Sequence, residues 1–174
     1  MGDVKNPIGA ETVTVSLPTA KHSLLAHNII ACAEVSSNLS RFDGIRFGHR
    51  SAVPVDSIDD LYKNSRTEGF GLEVQKNIII GTYLLSAGNY ETYYKKARTL
   101  QAMIRDELAA AFEKCDFIIT PGDDMHYVLA NLAGLPAISV PCENGSIHIL
   151  AKRFDDENLL GFARTIEKEV SRHA

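Results

Sequence analysis

Apolar runs and helical stripes alternate along this chain, and most are cut off by a proline or a glycine. Thr12-Val-Thr-Val-Ser-Leu17 alternates polar with apolar residues and ends at Pro18, which predicts a strand with one buried face. From about Lys21 to Leu39 the period changes, and Leu25, Ile29, Cys32 and Ser36 fall on one helical stripe. Phe42 to Asp56 carries Gly44, Gly48 and Pro54 and reads as a loop. Ser57, with Asp59 and Asp60 behind it, marks a helix start, because a hydroxyl takes up an orphan amide and acids complement the dipole. Gly69-Phe-Gly71 breaks that helix. The next begins near Leu72 and runs towards Ala87. Its continuous Ile78-Ile79-Ile80 makes it apolar almost all round, so a central place in the fold is expected.

Asn89 then caps the longest predicted helix, Tyr90 to Cys115, whose stripe is Tyr90, Tyr94, Ala97, Ile104, Leu108, Ala111 and Cys115. Tyr93 and Tyr94 suit the core or its boundary better than a cofactor box. Two short apolar runs follow, Asp116 to Pro121 and Ala137 to Val140, and the second has the β-branched character of a strand buried on both faces. Between them a short helix finishes over Ala130 to Ala133. Gly134 supplies a left-handed cap there, and Pro136 stops the helix from resuming. Ser146 to Ala151 alternates and predicts a third strand. Asp155 or Asp156 caps a last helix with Leu159, Ala163, Ile166 and Val170 inside. The fold class is α/β: a small mixed sheet packed by helices, with a βαβ-like core around Asn131 to Pro141.

Composition narrows the classes of function. A chain of 174 residues has material for one core, so a single domain is expected. A formal charge of −4 argues against a broad nucleic-acid face, and the densest cations, Lys95, Lys96 and Arg98, sit among Glu91 and Asp106 on a helix. No apolar run approaches the roughly 20 residues that span a bilayer, and Met1 to Pro7 lacks a signal-peptide core. Asn6 stands where a myristoylation signal needs Ser or Thr after Met1-Gly2. Cys32, Cys115 and Cys142 are few, distant and flanked mostly by apolar residues, as in reduced, partly buried thiols of a cytoplasmic or organelle-matrix protein. The six histidines are dispersed, and there is no glycine-rich phosphate loop, so neither a metal nor a bound cofactor is expected.

Four ordered stretches carry a resemblance: Ala33-Glu-Val-Ser-Ser-Asn-Leu-Ser-Arg-Phe-Asp-Gly44, Ser65-Arg-Thr-Glu-Gly-Phe-Gly-Leu-Glu-Val74, Ile80-Gly-Thr-Tyr-Leu-Leu-Ser-Ala-Gly88 and Asn131-Leu-Ala-Gly-Leu-Pro-Ala-Ile-Ser-Val-Pro141. Together they resemble the amidase-signature enzymes, and most closely the A-subunit branch of the glutamyl-tRNA(Gln)/aspartyl-tRNA(Asn) amidotransferases. The likeness runs from about Gly9 to about Glu167. It implies that residues 1–174 form a single partial amidase-signature domain, the carboxy-terminal portion of that fold. It also implies a chemistry in which one serine, activated by a second serine and a lysine, attacks an amide carbon. In the amidotransferases the ammonia released from glutamine passes to the B subunit, which uses ATP and Mg. By this resemblance the expected partners are the B and C subunits.

The family's catalytic serines and lysine belong to a segment preceding the four stretches, so no catalytic residue is expected in this chain. Ser36-Ser37 matches a different family stretch, and Gly145-Ser146 is isolated. For substrate binding the resemblance offers three positions. Asp124 stands where the family has an acid for the α-ammonium of glutamine. Asn77 stands where it has a basic residue for the α-carboxylate, a charge that only the neighbouring Lys76 offers in part. His27 stands where it has a tyrosine. Ser146-Ile147-His148 replaces the usual Gly-Leu-Gln. Three readings follow: an enzyme portion completed by a chain carrying the Ser-Ser-Lys half, a non-catalytic interaction protein derived from an amidase, or an amidase of different specificity, which the closeness of Ser65 to Val74 to the tRNA-enzyme subgroup disfavours.

Overall fold

The computed structural model describes residues 10–142 and 145–173, so Met1, Gly2 and Asn6 lie outside it. Six helices and three strands follow in the order α1 (Ser23–Leu39), α2 (Ile58–Gly69), α3 (Leu72–Leu85), α4 (Lys95–Ala111), β1 (Phe117–Pro121), α5 (Asp124–Ala133), β2 (Ala137–Cys142), β3 (Gly145–Ala151) and α6 (Asp156–His173). A 3₁₀ turn at Ala20–His22 leads into α1, and a wide π turn at Tyr90–Tyr94 leads into α4. The chain divides into two compact units: residues 28–98, all helix and loop, and a sheet unit built from the residues before and after them.

In the sheet unit the strand order is β1-β3-β2, and both neighbours pair antiparallel with β3. The expected α/β class holds, but the described sheet is antiparallel throughout rather than mixed. β1, α5 and β2 form a split β-α-β, with β3 inserted between its two strands. The strand buried on both faces is therefore β3, with Ile149, Leu150 and Ala151 fully covered. Ala137 to Val140 does not have the expected two-sided burial: Ala137, Ser139 and Pro141 of β2 are exposed. The reason is chemical. Pro121 and Pro141 have no N–H to give to a second neighbour, so their strands belong at edges.

Helix α6 covers one sheet face. Leu159, Ala163 and Ile166 pack on Val140, Ile149 and Ala151, while Phe162 stacks on Phe117 with ring centroids 4.3 Å apart. Asp155 precedes α6 as its cap, its carbonyl accepting from the Leu159 amide. Val170, expected on the same stripe, lies outside the described side chains. Short α5 ends as anticipated: Gly134 is left-handed, at φ 68°, and the amides of Gly134 and Leu135 both donate to the Ala130 carbonyl. Thr12 to Leu17 forms no strand, because none of the three described strands pairs with it.

In the helical unit, the second half of α1 meets α3 at Gly81. A Cβ there would overlap the Cys32 carbonyl oxygen, so only glycine permits this approach. The α1 stripe is displaced from expectation. Leu25 is 60% exposed, whereas Ser23, Ala26, Ile30 and Ala33 are buried. Ser57 caps α2 by accepting the Asp60 amide. The Ser65–Arg66 pair then secures the loop after α1. Ser65, wholly buried, accepts from the Ser51 amide, while the Arg66 guanidinium donates to the carbonyls of Leu39 (2.7 Å) and Phe42 (3.2 Å). That guanidinium also lies 4.9 Å from the centre of the Phe70 ring.

The central role expected of Ile78-Ile79-Ile80 is not observed. Ile79 is 69% and Leu72 67% exposed, and α3 buries only Gly81 and Leu84 fully. The long helix is also modified. Asn89 sits at the cap position but makes no side-chain cap bond, giving its amide to the Ser86 hydroxyl instead. Regular helix runs only to Ala111, short of Cys115, whose thiol donates back to the Ala111 carbonyl. Its inner stripe holds only from Ala97 onward, where Ala97, Ile104, Leu108 and Ala111 are buried; Tyr90, expected on it, is 42% exposed in the π turn that precedes the helix, as is Tyr93 at 40%.

Candidate functional site

Asp124 and His27 belong to the sheet unit, and Asn77 to the helical one. Asp124 is the first residue of α5 and is exposed. Its neighbour Asp123 caps that helix, accepting from the His126 amide at 3.0 Å and lying 2.7 Å from the His126 ring Nδ1. Burial alone would raise the Asp123 carboxyl. The bonds from the His126 amide and ring outweigh it, holding the group below the usual carboxylate range. Asp123 is thus spent on the cap, which leaves Asp124 as the carboxylate turned to solvent at this helix start.

His27 follows one helical turn after Ser23, whose buried hydroxyl donates to the carbonyl of Met125 at 2.9 Å, beside Asp124. The Nδ1 of His27 is buried and has no hydrogen-bond partner among the described residues. An unpaired ring nitrogen in such a place costs free energy until an acceptor or donor reaches it.

Asn77 lies on the side of α3 that faces α1, where its Oδ1 accepts a long 3.5 Å bond from the Cys32 thiol. Burial pushes that thiol's pKa up, so it stays protonated and able to donate. Lys76, the one neighbour with the charge that Asn77 lacks, is bonded instead to Glu73 at 2.7 Å on an exposed surface. Where a guanidinium would fork a carboxylate, this chain has a neutral amide tied to a thiol.

Behind α5 lies a polar cluster to which the sequence pattern assigns no role. The Tyr127 hydroxyl is 2.9 Å from Ser146 Oγ, and the Tyr127 ring meets His148 edge-on at 4.8 Å. Gly122 lies so close that a Cβ would overlap Ser146 Oγ. His148 is buried, with Nδ1 3.3 Å from the Ser139 hydroxyl and Nε2 unpartnered among the described residues. Burial, and secondarily the charge of His126, lower its pKa, so the ring is neutral at physiological pH. The available signal was the replacement of Gly-Leu-Gln by Ser146-Ile147-His148, which puts polar groups on a strand otherwise apolar.

With the site laid out, comparison with known proteins decides the family. The family profile described as Amidase matches residues 6–126. The chain belongs to the amidase family. Among curated amidase-family proteins it is 42% identical to the glutamyl-tRNA(Gln) amidotransferase A subunit of Oleidesulfovibrio alaskensis and 43% identical to that of Pseudomonas entomophila. Each alignment covers 95% of this chain and 39% of the relative. The solved A-subunit structure from Thermotoga maritima superposes with a TM-score of 0.54 at 34% identity, covering 88% of this chain and 34% of that one. The chain therefore spans about 39% of the length of the curated amidase-family relatives it matches. All three cysteines are free and half-buried, and no described helix is long and apolar enough to cross a membrane.

Proposed function

We propose that this chain is an A-subunit-like portion of a glutamine-dependent tRNA amidotransferase, contributing part of a glutaminase that supplies ammonia for amidation of Glu-tRNA(Gln) or Asp-tRNA(Asn). The observation that carries the reading is identity above 40% with such A subunits over 95% of the chain. In this role Asp124 receives the α-ammonium of glutamine, Asn77 lies at the carboxylate end, and His27 offers its unpartnered ring nitrogen. The nucleophile, its serine partner and the lysine come from a polypeptide carrying the rest of the domain. The B and C subunits complete the assembly, with ATP and Mg on the B subunit. This chain itself carries no cofactor in that assembly.

The test is reconstitution. The purified chain alone is expected to release no ammonia from glutamine, with or without ATP. Mixing it with the unmatched part of the Pseudomonas entomophila relative is expected to restore glutaminase activity. In that assembly Asn77→Arg is expected to tighten glutamine binding by on the order of 1.5–3 kcal/mol, by supplying a charge-assisted pair. Turnover by the chain alone would disprove its incompleteness. A failure to complement, with stable association, would favour the second reading: a non-catalytic interaction protein derived from an amidase. The neutral Asn77 and the diverted Lys76 are the observations that favour it.

A further inference from the structure

Phe154 combines two features that rarely occur together. It is 91% exposed, and its backbone sits in the left-handed region at φ 67°, alone among the described non-glycine residues. A bulky side chain there strains the turn, and exposure denies the ring any packing in return. Nothing loose produces this conformation. The Asp155 amide donates to the Lys152 carbonyl, and the preceding Arg153 guanidinium donates to the Ala133 carbonyl at 3.2 Å. The turn is pinned on both sides, and the ring is held out from it.

Two concavities adjoin this turn in the sheet unit, of about 490 and 330 Å³, and they share Leu135 and Arg153 as a common wall. Their apolar floor includes Leu108, Leu135 and Pro136, and their cations are Arg105, Lys152 and Arg153. Arg105 is exposed on the wall of the second. Lys152 reaches Asp116 only at 3.5 Å, in the open. In a chain of net charge −4, three cations around one apolar trough define a local preference for carboxylates. Asp106 and Asp156 on the same walls oppose a polyanion such as a nucleic acid.

We propose that this trough is a docking site for a short stretch of a different polypeptide, one carrying carboxylates beside an apolar side chain. The apolar side chain packs on Leu135 and Pro136 under the Phe154 ring. The carboxylates pair with Arg105 and Arg153. A rigid, pre-placed aromatic is the kind of anchor on which binding energy concentrates, and the strain at Phe154 is tolerated because the free chain holds the ring where the partner needs it. The trough shares no residue with the Asp124, Asn77 and His27 set, and the proposal does not depend on glutamine chemistry.

The test uses the full chain and a fluorescein-labelled, acetylated Asp-Leu-Phe-Glu peptide, with Asn-Leu-Phe-Gln as its neutral counterpart. Anisotropy is expected to show the acidic peptide binding at least about fivefold tighter than the neutral one. Phe154→Gly is expected to melt no lower than the parent, since glycine relieves the turn, yet to weaken the acidic peptide about fivefold or more. Arg105→Gln is expected to weaken it similarly, and Arg164→Gln on the exposed side of α6 to leave it unchanged. Equal binding of the two peptides, equal losses from Arg164→Gln, or no binding at about 1 mM would overturn the proposal. So would a dimer that Phe154→Gly turns into a monomer, because a second copy would then be the occupant.

Discussion

The sheet unit and the helical unit use their apolar residues in opposite ways. In the first, α6 lies along the sheet with its aliphatic side chains inside, and Ile149, Leu150 and Ala151 of β3 see no solvent. In the second, the most apolar helix, α3, leaves Leu72, Ile79, Ile80 and Tyr83 exposed. Beside a few buried apolar residues, Ile30, Ala33, Leu61 and Leu84, that unit is held by polar contacts: Ser65, Arg66 and the Ser57 cap, with Glu68 bonded to both Ser51 and His49. The sheet unit closes its own core. The helical unit carries an apolar face of the kind that marks contact with another surface.

The contrast breaks most sharply at matched isoleucines. Ile149→Ala is expected to cost about 3–4 kcal/mol, the range for a fully buried aliphatic, whereas Ile79→Ala should fall within about 0.5 kcal/mol. Urea unfolding of the two variants reads this directly, and equal losses would mean α3 is covered in solution. Next in size, Arg66→Ala removes two charge-assisted bonds to carbonyls and a ring contact, for about 2 kcal/mol. Amide exchange should show that loss spreading through the loop from Phe42 to Val53. Protection unchanged there would show the loop is held by something else.

A smaller effect is expected from Ser57→Ala, about 1 kcal/mol from one lost cap bond, checked by thermal melting. The smallest is a tilt with pH in the sheet unit. Burial keeps the folded-state pKa of His148 below its unfolded value, so the unfolded chain binds the proton more readily. Its contribution is fully present above the unfolded histidine pKa and is lost as pH falls through the lowered folded one. His148→Gln should flatten the stability profile between neutrality and mild acid. A profile still sloping there would assign the dependence to another group.

Much of this was legible in the sequence because local chemistry fixed it. Ser57 and Gly134 act as read, since a cap needs only its own neighbours. The two-sided burial expected of Ala137 to Val140 failed, although Pro121 and Pro141 carried the clue that both runs are edges and left the central place to Ser146–Ala151. Ile78-Ile79-Ile80 misled for a different reason. Hydrophobicity reports that a surface wants cover without saying which polypeptide provides it. Thr12-Val-Thr-Val-Ser-Leu17 failed likewise, as alternation predicts a strand only where a partner strand exists. For the candidate site, Asp124, Asn77 and His27 were visible only through resemblance. The diversion of Lys76 to Glu73 and the orphan nitrogen of His27 are facts of three dimensions.

The insertion of β3 between β1 and β2 also orders events in time. Neither edge strand has a partner until β3 exists, yet β1 and β2 are both made first. From Pro121 to Ala151 the ribosome must add roughly thirty residues, which takes about 2–6 s at typical elongation rates. Throughout that interval two proline-bearing strands and α5 wait without a ladder to join. No ladder of this sheet can therefore form before the third strand is made. A nascent chain stalled anywhere before Gly145 would hold both edge strands without the strand that pairs them.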